Sequence, residues 1–164
     1  MSCKALIFDL DGTLLNTIED LTDGVNHVME MYGYNTYSIS QIKSFVGNGI
    51  MKLMETAVPN GKENEKFDEM YNEFKSYYTN HCRIKTRPYD DILNLLGLLK
   101  EQDYGLAIVS NKNDGAVKEL AEYFFDDYIN IAIGQSETTR KKPAPDTVYE
   151  AMKELPKGAC LYVG

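Results

Sequence analysis

Apolar runs and segments with a helical period alternate along most of the chain. Two runs, at residues 5–8 and 106–109, are continuously apolar, which is typical of parallel strands buried on both faces. Less regular runs at 128–133 and 159–163 predict a third and a fourth strand. Because helical segments separate these runs, the pattern predicts right-handed crossovers and a parallel sheet with helices on both faces.

A long helical stretch follows the first predicted strand. Two residue pairs resemble capping boxes at helix starts: Thr17 with Asp20, and Ser38 with Gln41. A later helix is expected to bury one face, formed by Phe67, Met70, Tyr71, Phe74, Tyr77 and Tyr78. The whole pattern predicts an α/β fold, a doubly wound (Rossmann-like) parallel sheet core with a helical cap inserted after the first strand. Residues 1–15 and 87–164 would form the core, and residues 16–86 the cap.

Two acids stand directly after the first apolar run. Asp9 and Asp11 are two residues apart at the end of a strand, so we expect their side chains to lie close together. Two such carboxylates repel each other unless a cation or a proton sits between them, and an oxygen-only pair favours magnesium over zinc. The alternative is an ordinary Asp-Gly turn. A calcium loop is excluded, because Leu14 and Asp20 occupy the positions that need glycine and glutamate.

Two further polar groups stand at the expected ligand-binding edge of the sheet. Ser110 and Asn111 follow the second predicted strand, where a hydroxyl, an amide and backbone N–H groups can hold an anion. Lys142 precedes Pro143, which favours an extended and fixed backbone. Each feature alone also fits a plain turn or a solvated basic loop. An acid pair, a hydroxyl and a lysine at successive strand ends together favour a site.

Composition narrows the classes of function. A net charge of −8 argues against a nucleic-acid surface, and 43% hydrophobic with 26% charged residues is typical of a soluble globular protein. The three cysteines, Cys3, Cys82 and Cys160, are widely spaced and are expected to be reduced thiols. No segment has the pattern of a signal peptide or a membrane span, so we expect a cytoplasmic protein without membrane contact.

Three motifs occur in a specific order: Asp9-Leu-Asp11-Gly12-Thr13-Leu-Leu-Asn-Thr, then Ser110-Asn111-Lys112, then Lys142-Pro143-x-Pro145. This order resembles the haloacid dehalogenase superfamily of hydrolases. The helical insert, with its segment Phe45-Val-Gly47-Asn-Gly49, is similar to the cap of the phosphoglycolate phosphatase-like branch.

The resemblance implies a phosphatase with an aspartyl-phosphate intermediate. Asp9 would be the nucleophile, and Asp11 would act as general acid and then as general base. Mg²⁺ would be held by the Asp9 carboxylate and the Asp11 main-chain carbonyl. The phosphate group would be bound by five residues: Gly12, Thr13, Ser110, Asn111 and Lys142.

The resemblance implies a small phosphorylated metabolite as substrate, with 2-phosphoglycolate as the leading candidate. Pyrophosphate, a nucleoside monophosphate and a sugar phosphate are alternatives, although Thr13 disfavours phosphosugar mutases. A non-catalytic phospho-receiver or binding module is another alternative, which the helical insert disfavours. Asn48 and Lys52 of the expected cap are candidates for contact with the leaving group.

Two positions depart from the family pattern. Asn16 stands where the family usually has Asp, at a place that serves the start of the helix rather than the chemistry. The sequence closes on Leu161-Tyr-Val-Gly164, where family members continue into a further acidic motif. We therefore expect a chain truncated before that motif, with a core that is incomplete at its C-terminus. If the sequence were instead the whole polypeptide, weaker metal binding would be expected.

Overall fold

The structure is a computed structural model that describes the backbone of residues 3–164 and the side chains from Lys4 onward. Its strands are β1 (Cys3–Phe8), β2 (Leu15–Asn16), β3 (Arg87–Pro88), β4 (Gly105–Asn113), β5 (Ile131–Gln135) and β6 (Ala159–Val163). Its α-helices are α1 (Ile18–Met31), α2 (Ile39–Phe45), α3 (Ile50–Ala57), α4 (Phe67–His81), α5 (Ile92–Glu101), α6 (Asp114–Phe125) and α7 (Asp146–Glu154). None of these helices is long and apolar enough to cross a membrane.

The chain divides into two compact units. One contains residues up to Asn16 together with residues 87–164, and the other contains residues 17–86. The first boundary lies one residue beyond the one expected from the sequence.

The first unit is built on a parallel sheet with strand order β5-β4-β1-β6. Strand β1 pairs in parallel with both β4 and β6, and β4 pairs in parallel with β5. Alternate residues of the two central strands pack with α7 on one face, in a cluster of Ala5, Ile7, Ala107, Val109, Ala151 and Leu155. The predicted α/β class with a parallel sheet is confirmed.

Two strand boundaries differ from the prediction. Strand β4 continues through Ser110 to Asn113, so the Ser-Asn-Lys motif lies inside the strand rather than after it. The expected start of the third strand at Tyr128 is wrong, because Tyr128 and Ile129 donate their N–H groups to the Phe125 carbonyl, at 2.8 and 2.9 Å. These bonds extend the last turn of α6, and β5 therefore begins only at Ile131.

A two-residue antiparallel pair was not predicted. Leu15 lies opposite Pro88, and Asn16 lies opposite Arg87. A pair this short has no hydrophobic period, so only long-range pairing reveals it. It holds the turn after β1 beside the segment that leads into α5.

The second unit is helical, as expected. The apolar face of α4 buries Phe67, Met70, Phe74 and Tyr78, so most of the predicted stripe does pack in a core. At Gly24 of α1, a Cβ atom would lie 3.1 Å from Phe74 Cε2, which shows how closely this aromatic ring approaches that helix.

One of the two predicted capping boxes forms and the other does not. The Ser38 hydroxyl accepts the Gln41 N–H at 3.3 Å, and the Gln41 side chain accepts the Ser38 N–H at 2.9 Å. Thr17 makes no capping hydrogen bond with its side chain. Asp20 instead accepts the backbone N–H groups of Lys85 and Thr86, at 2.9 and 2.8 Å, from more than 60 positions along the chain. The buried Asp20 carboxylate therefore makes a tertiary contact instead of the local capping contact that the sequence predicted.

Candidate active site

The turn after β1 fixes both acids. The Leu10 side chain is fully buried, and the Leu10 carbonyl accepts the N–H groups of Leu14 and Leu15, both at 3.0 Å. The Leu10 N–H donates to Asp9 Oδ1 at 2.7 Å. Because Leu10 points into the core, the residues on either side of it, Asp9 and Asp11, are left half-buried at the carboxyl end of the strand.

Asp9 is paired with Lys142. The lysine Nζ lies 2.9 Å from Asp9 Oδ1, with 16% of the lysine side chain and 27% of the aspartate side chain exposed. Nζ also donates to the Val109 carbonyl at 3.2 Å and contacts the Tyr162 hydroxyl at 3.0 Å. Three oxygens therefore hold the ammonium group, which matches its three donors.

Asn111 positions the backbone of Lys142. Its Oδ1 accepts the Lys142 N–H at 2.7 Å, and its Nδ2 donates to the Lys142 carbonyl at 3.2 Å. The amide side chain is thus engaged with the loop that carries the lysine. That Asn111 binds phosphate directly stays a prediction, and it concerns the backbone N–H because the side chain is engaged with Lys142.

Sequence reasoning gave no role to Lys112, which pairs with Asp11. Its Nζ lies 3.2 Å from Asp11 Oδ1 and 3.4 Å from Oδ2. Only 5% of the lysine side chain is exposed. The signal available in the sequence was its place two residues after Ser110, which puts both side chains on one side of a strand. Each of the two acids therefore has an ammonium group of its own.

The other expected phosphate ligands lie in the same region. Ser110 is buried, and its Oγ accepts the Lys112 N–H at 3.2 Å. The N–H groups of Gly12 and Thr13 donate within the turn, to Leu15 and Leu10 carbonyls at 2.9 and 3.3 Å. Gly12 has φ of +82°, a conformation that side chains rarely adopt. Phosphate binding by these groups stays a prediction.

Three basic residues precede Pro143, in the segment Arg140-Lys-Lys142, and they have different roles. Arg140 makes two side-chain bonds to Asp146, from Nε at 3.0 Å and from Nη2 at 2.8 Å. The hydrogen bond from Arg140 is the main reason why the pKa of the Asp146 carboxyl lies below its usual value. Arg140 therefore stabilises the start of α7, while Lys142 reaches the acid pair.

The chain is similar to known proteins over most of its length. The model of the haloacid dehalogenase-like hydrolase family matches residues 6–164. A phosphoglycolate phosphatase of Neisseria meningitidis is 32% identical over 157 residues, which cover 93% of this chain and 67% of that protein. A phosphoglycolate phosphatase of Rhodobacter capsulatus is 32% identical over 164 residues, covering 98% of this chain and 74% of that protein.

A solved structure shares the fold. It is that of a provisionally named phosphoglycolate phosphatase from Lactobacillus delbrueckii subsp. bulgaricus, with a TM-score of 0.91 and 33% identity. The match covers 99% of this chain and 78% of the other.

The chain belongs to the haloacid dehalogenase-like hydrolase family. Within this family it is similar to the phosphoglycolate phosphatases, and it is a phosphoric monoester hydrolase. It spans about two thirds of the length of the Neisseria meningitidis relative.

This hydrolase offers two oxygen atoms that a hard cation could use. Both polar contacts of the Asp9 carboxylate among residues 4–164 go to Oδ1, so Oδ2 is available. None of the turn's backbone hydrogen bonds uses the Asp11 carbonyl. No group of three or more His, Cys, Asp or Glu side chains that could hold a metal occurs in the described part of the chain. The donors present therefore fit an oxygen-bound cation that keeps several waters, as Mg²⁺ does.

Proposed function

We propose that this hydrolase is a magnesium-dependent phosphatase that acts on a small phosphomonoester through an aspartyl-phosphate on Asp9. The leading candidate for the substrate is 2-phosphoglycolate, the ester named for several of its relatives. The observation that carries the proposal is the Asp9 carboxylate itself. One of its oxygens is held by Lys142 and the Leu10 N–H, and the other makes no polar contact among residues 4–164.

The reaction has two steps. In the first, one oxygen of the Asp9 carboxylate attacks phosphorus, the bond from phosphorus to the ester oxygen breaks, and the Asp11 carboxyl gives its proton to the leaving alkoxide. In the second, a water oxygen attacks the aspartyl-phosphate while Asp11 takes a proton from that water. Inorganic phosphate leaves, and the Asp9 carboxylate is restored.

Charge is the main obstacle in the first step, because a carboxylate must approach a phosphate dianion. Two like unit charges about 4 Å apart repel by roughly 4 kcal/mol at an effective dielectric constant of about 20. A dianion doubles this repulsion, and the Lys142 ammonium, 2.9 Å from Asp9, offsets part of it. Mg²⁺ held by the Asp9 carboxylate and the Asp11 main-chain carbonyl would supply further positive charge at the phosphoryl oxygens. The Ser110 and Thr13 hydroxyls and the Asn111 backbone N–H would orient the phosphoryl group, and Gly12 would shape the turn that presents Thr13.

The first experiment measures phosphate release from a panel of esters, with and without Mg²⁺. The panel contains 2-phosphoglycolate, pyrophosphate, nucleoside monophosphates and sugar phosphates. We expect turnover of 2-phosphoglycolate that stops when EDTA removes the metal. The Asp9→Asn variant should be inactive while its far-UV circular dichroism is unchanged, because it loses the nucleophile without added bulk. Asp126→Asn, at an exposed position after α6, is the matched control and should keep full activity.

Other outcomes separate the alternatives. Faster turnover of another ester would keep the mechanism and replace the substrate. Acid quenching with radiolabelled substrate should trap label on the wild-type protein and none on Asp9→Asn. A stable phosphoprotein that never releases phosphate would support a receiver module and contradict the phosphatase. Activity that persists in Asp9→Asn would contradict the assignment of the nucleophile.

A further inference from the structure

Lys112 is unusual among the lysines of the site because of its burial. Its side chain is 5% exposed, against 16% for Lys142, and its ammonium group lies beside the Asp11 carboxyl. A charged group this deeply buried is rarely found without a partner, because it has lost most of its hydration. The residue is therefore placed for contact with Asp11.

The contact constrains the orientation of the Asp11 carboxyl. Nζ lies at 3.2 Å from Oδ1 and at 3.4 Å from Oδ2, so it contacts both oxygens of the group. Such a contact limits rotation about the bond between Cβ and Cγ. The lysine is itself anchored, since it lies on β4 and its N–H donates to Ser110 Oγ at 3.2 Å.

The geometry points to Lys112 as a positioning residue, which holds the Asp11 carboxyl where it can give a proton to the leaving alcohol. The inference rests on the proposed function, because it needs Asp11 as the general acid. A general acid matters most when the leaving group is a poor one, such as an alkoxide. It matters little for a phenolate that leaves without a proton.

The test compares two substrates, 2-phosphoglycolate and p-nitrophenyl phosphate, in Lys112→Met. The quantity measured is kcat/KM, which reports events up to the first irreversible step, here loss of the alcohol. We expect kcat/KM for 2-phosphoglycolate to fall about 100-fold, at the lower end of general acid–base contributions. For p-nitrophenyl phosphate we expect a fall of about threefold or less. A ratio of two substrates measured on one sample does not depend on how much of the variant is folded.

Two further variants complete the design. Lys112→Gln keeps a donor near Asp11, so its loss on 2-phosphoglycolate should lie between those of wild type and Lys112→Met. Lys118→Met is the matched control, because it removes an exposed lysine that pairs with Asp114 at 2.7 Å on α6. This control should leave both substrates unaffected.

The outcomes separate this inference from the proposed function. Equal losses on both substrates, or no loss on either, in an otherwise active enzyme would overturn the role of Lys112 and leave the phosphatase intact. A wild-type protein that hydrolyses neither substrate with Mg²⁺, nor any other ester of the panel, would overturn the phosphatase and this role together.

Discussion

Replacement of Asp20 by alanine should destabilise the helical unit far more than replacement of its neighbour Asp23. Asp20 is 2% exposed and accepts the N–H groups of Lys85 and Thr86. Asp23 lies one turn further along α1 and pairs with the same Lys85, through Nζ at 2.6 Å, in a contact where both side chains are more than 40% exposed. The two aspartates thus contact one lysine in two different environments.

The size of the effect follows from burial. Hydrogen bonds to a charged group contribute about 1.5–3 kcal/mol each. The Thr86 N–H belongs to a residue only 6% exposed, so it would lose its partner without water to replace it. Lys85 is exposed, and its N–H is expected to find water. We therefore expect Asp20→Ala to lower the free energy of unfolding by about 3 kcal/mol, and Asp23→Ala by at most about 1 kcal/mol, as for exposed ion pairs.

Urea unfolding followed by far-UV circular dichroism measures both losses. Hydrogen exchange at residues 85 and 86 gives a local measurement, which should accelerate strongly only in Asp20→Ala. Asp20→Asn should lie between wild type and Asp20→Ala, because its amide keeps one acceptor and places a donor against an N–H group. Equal destabilisation by the two alanine variants would refute the reasoning, since it would mean that burial of the Asp20 contact adds nothing.

Three further changes test other parts of the fold. Asn111→Ala removes the two hydrogen bonds that hold the backbone of Lys142. If Lys142 binds phosphate as proposed, KM in the phosphatase assay should rise about tenfold, the equivalent of one hydrogen bond of about 1.4 kcal/mol. An unchanged KM would contradict this role of Asn111. Gly134→Ala would bring a Cβ atom to 2.5 Å from the Asp114 backbone. Thermal unfolding should show that the free energy of unfolding falls by about 1–3 kcal/mol. Gly97→Ala, whose Cβ atom would have its nearest contact at 3.7 Å, is the control and should not destabilise the protein. Burial raises the pKa of Asp114, but hydrogen bonds from Lys118 and Gly134 outweigh this effect and leave the pKa below its ordinary value. The Asp114 carboxylate therefore stabilises the fold at pH values above its unfolded-state pKa, and this stabilisation is lost as the pH falls through its folded-state pKa. The free energy of unfolding of Asp114→Asn should accordingly depend less on pH than that of wild type below about pH 4.

Local sequence patterns were sufficient where one element dictates its own structure. The continuous apolar run before Asp9 predicted β1, and the stripe from Phe67 to Tyr78 predicted the buried face of α4. The capping box at Ser38 was also predictable, because both partners lie within four residues. In each case the physical cause acts between near neighbours along the chain.

Local patterns failed where the partner is distant in sequence. Asp20 looked like a capping residue, but its carboxylate binds N–H groups 65 and 66 residues away. The pairing of β2 with β3 has no period to detect. The late start of β5 depends on bonds that continue the last turn of α6 rather than on the apolar character of residues 128 and 129.

The sequence by itself determined the family, the parallel sheet and the set of chemical groups, because strand periodicity and the order of the three motifs are written along the chain. The tertiary structure decided how those groups pair. It joins Lys142 to Asp9, Asn111 to the backbone of Lys142, and Lys112 to Asp11 across 101 residues. A sequence shows which charged groups exist. How deeply each group is buried, and therefore which partner it needs, is decided only when the strands that carry these groups meet at one edge of the sheet.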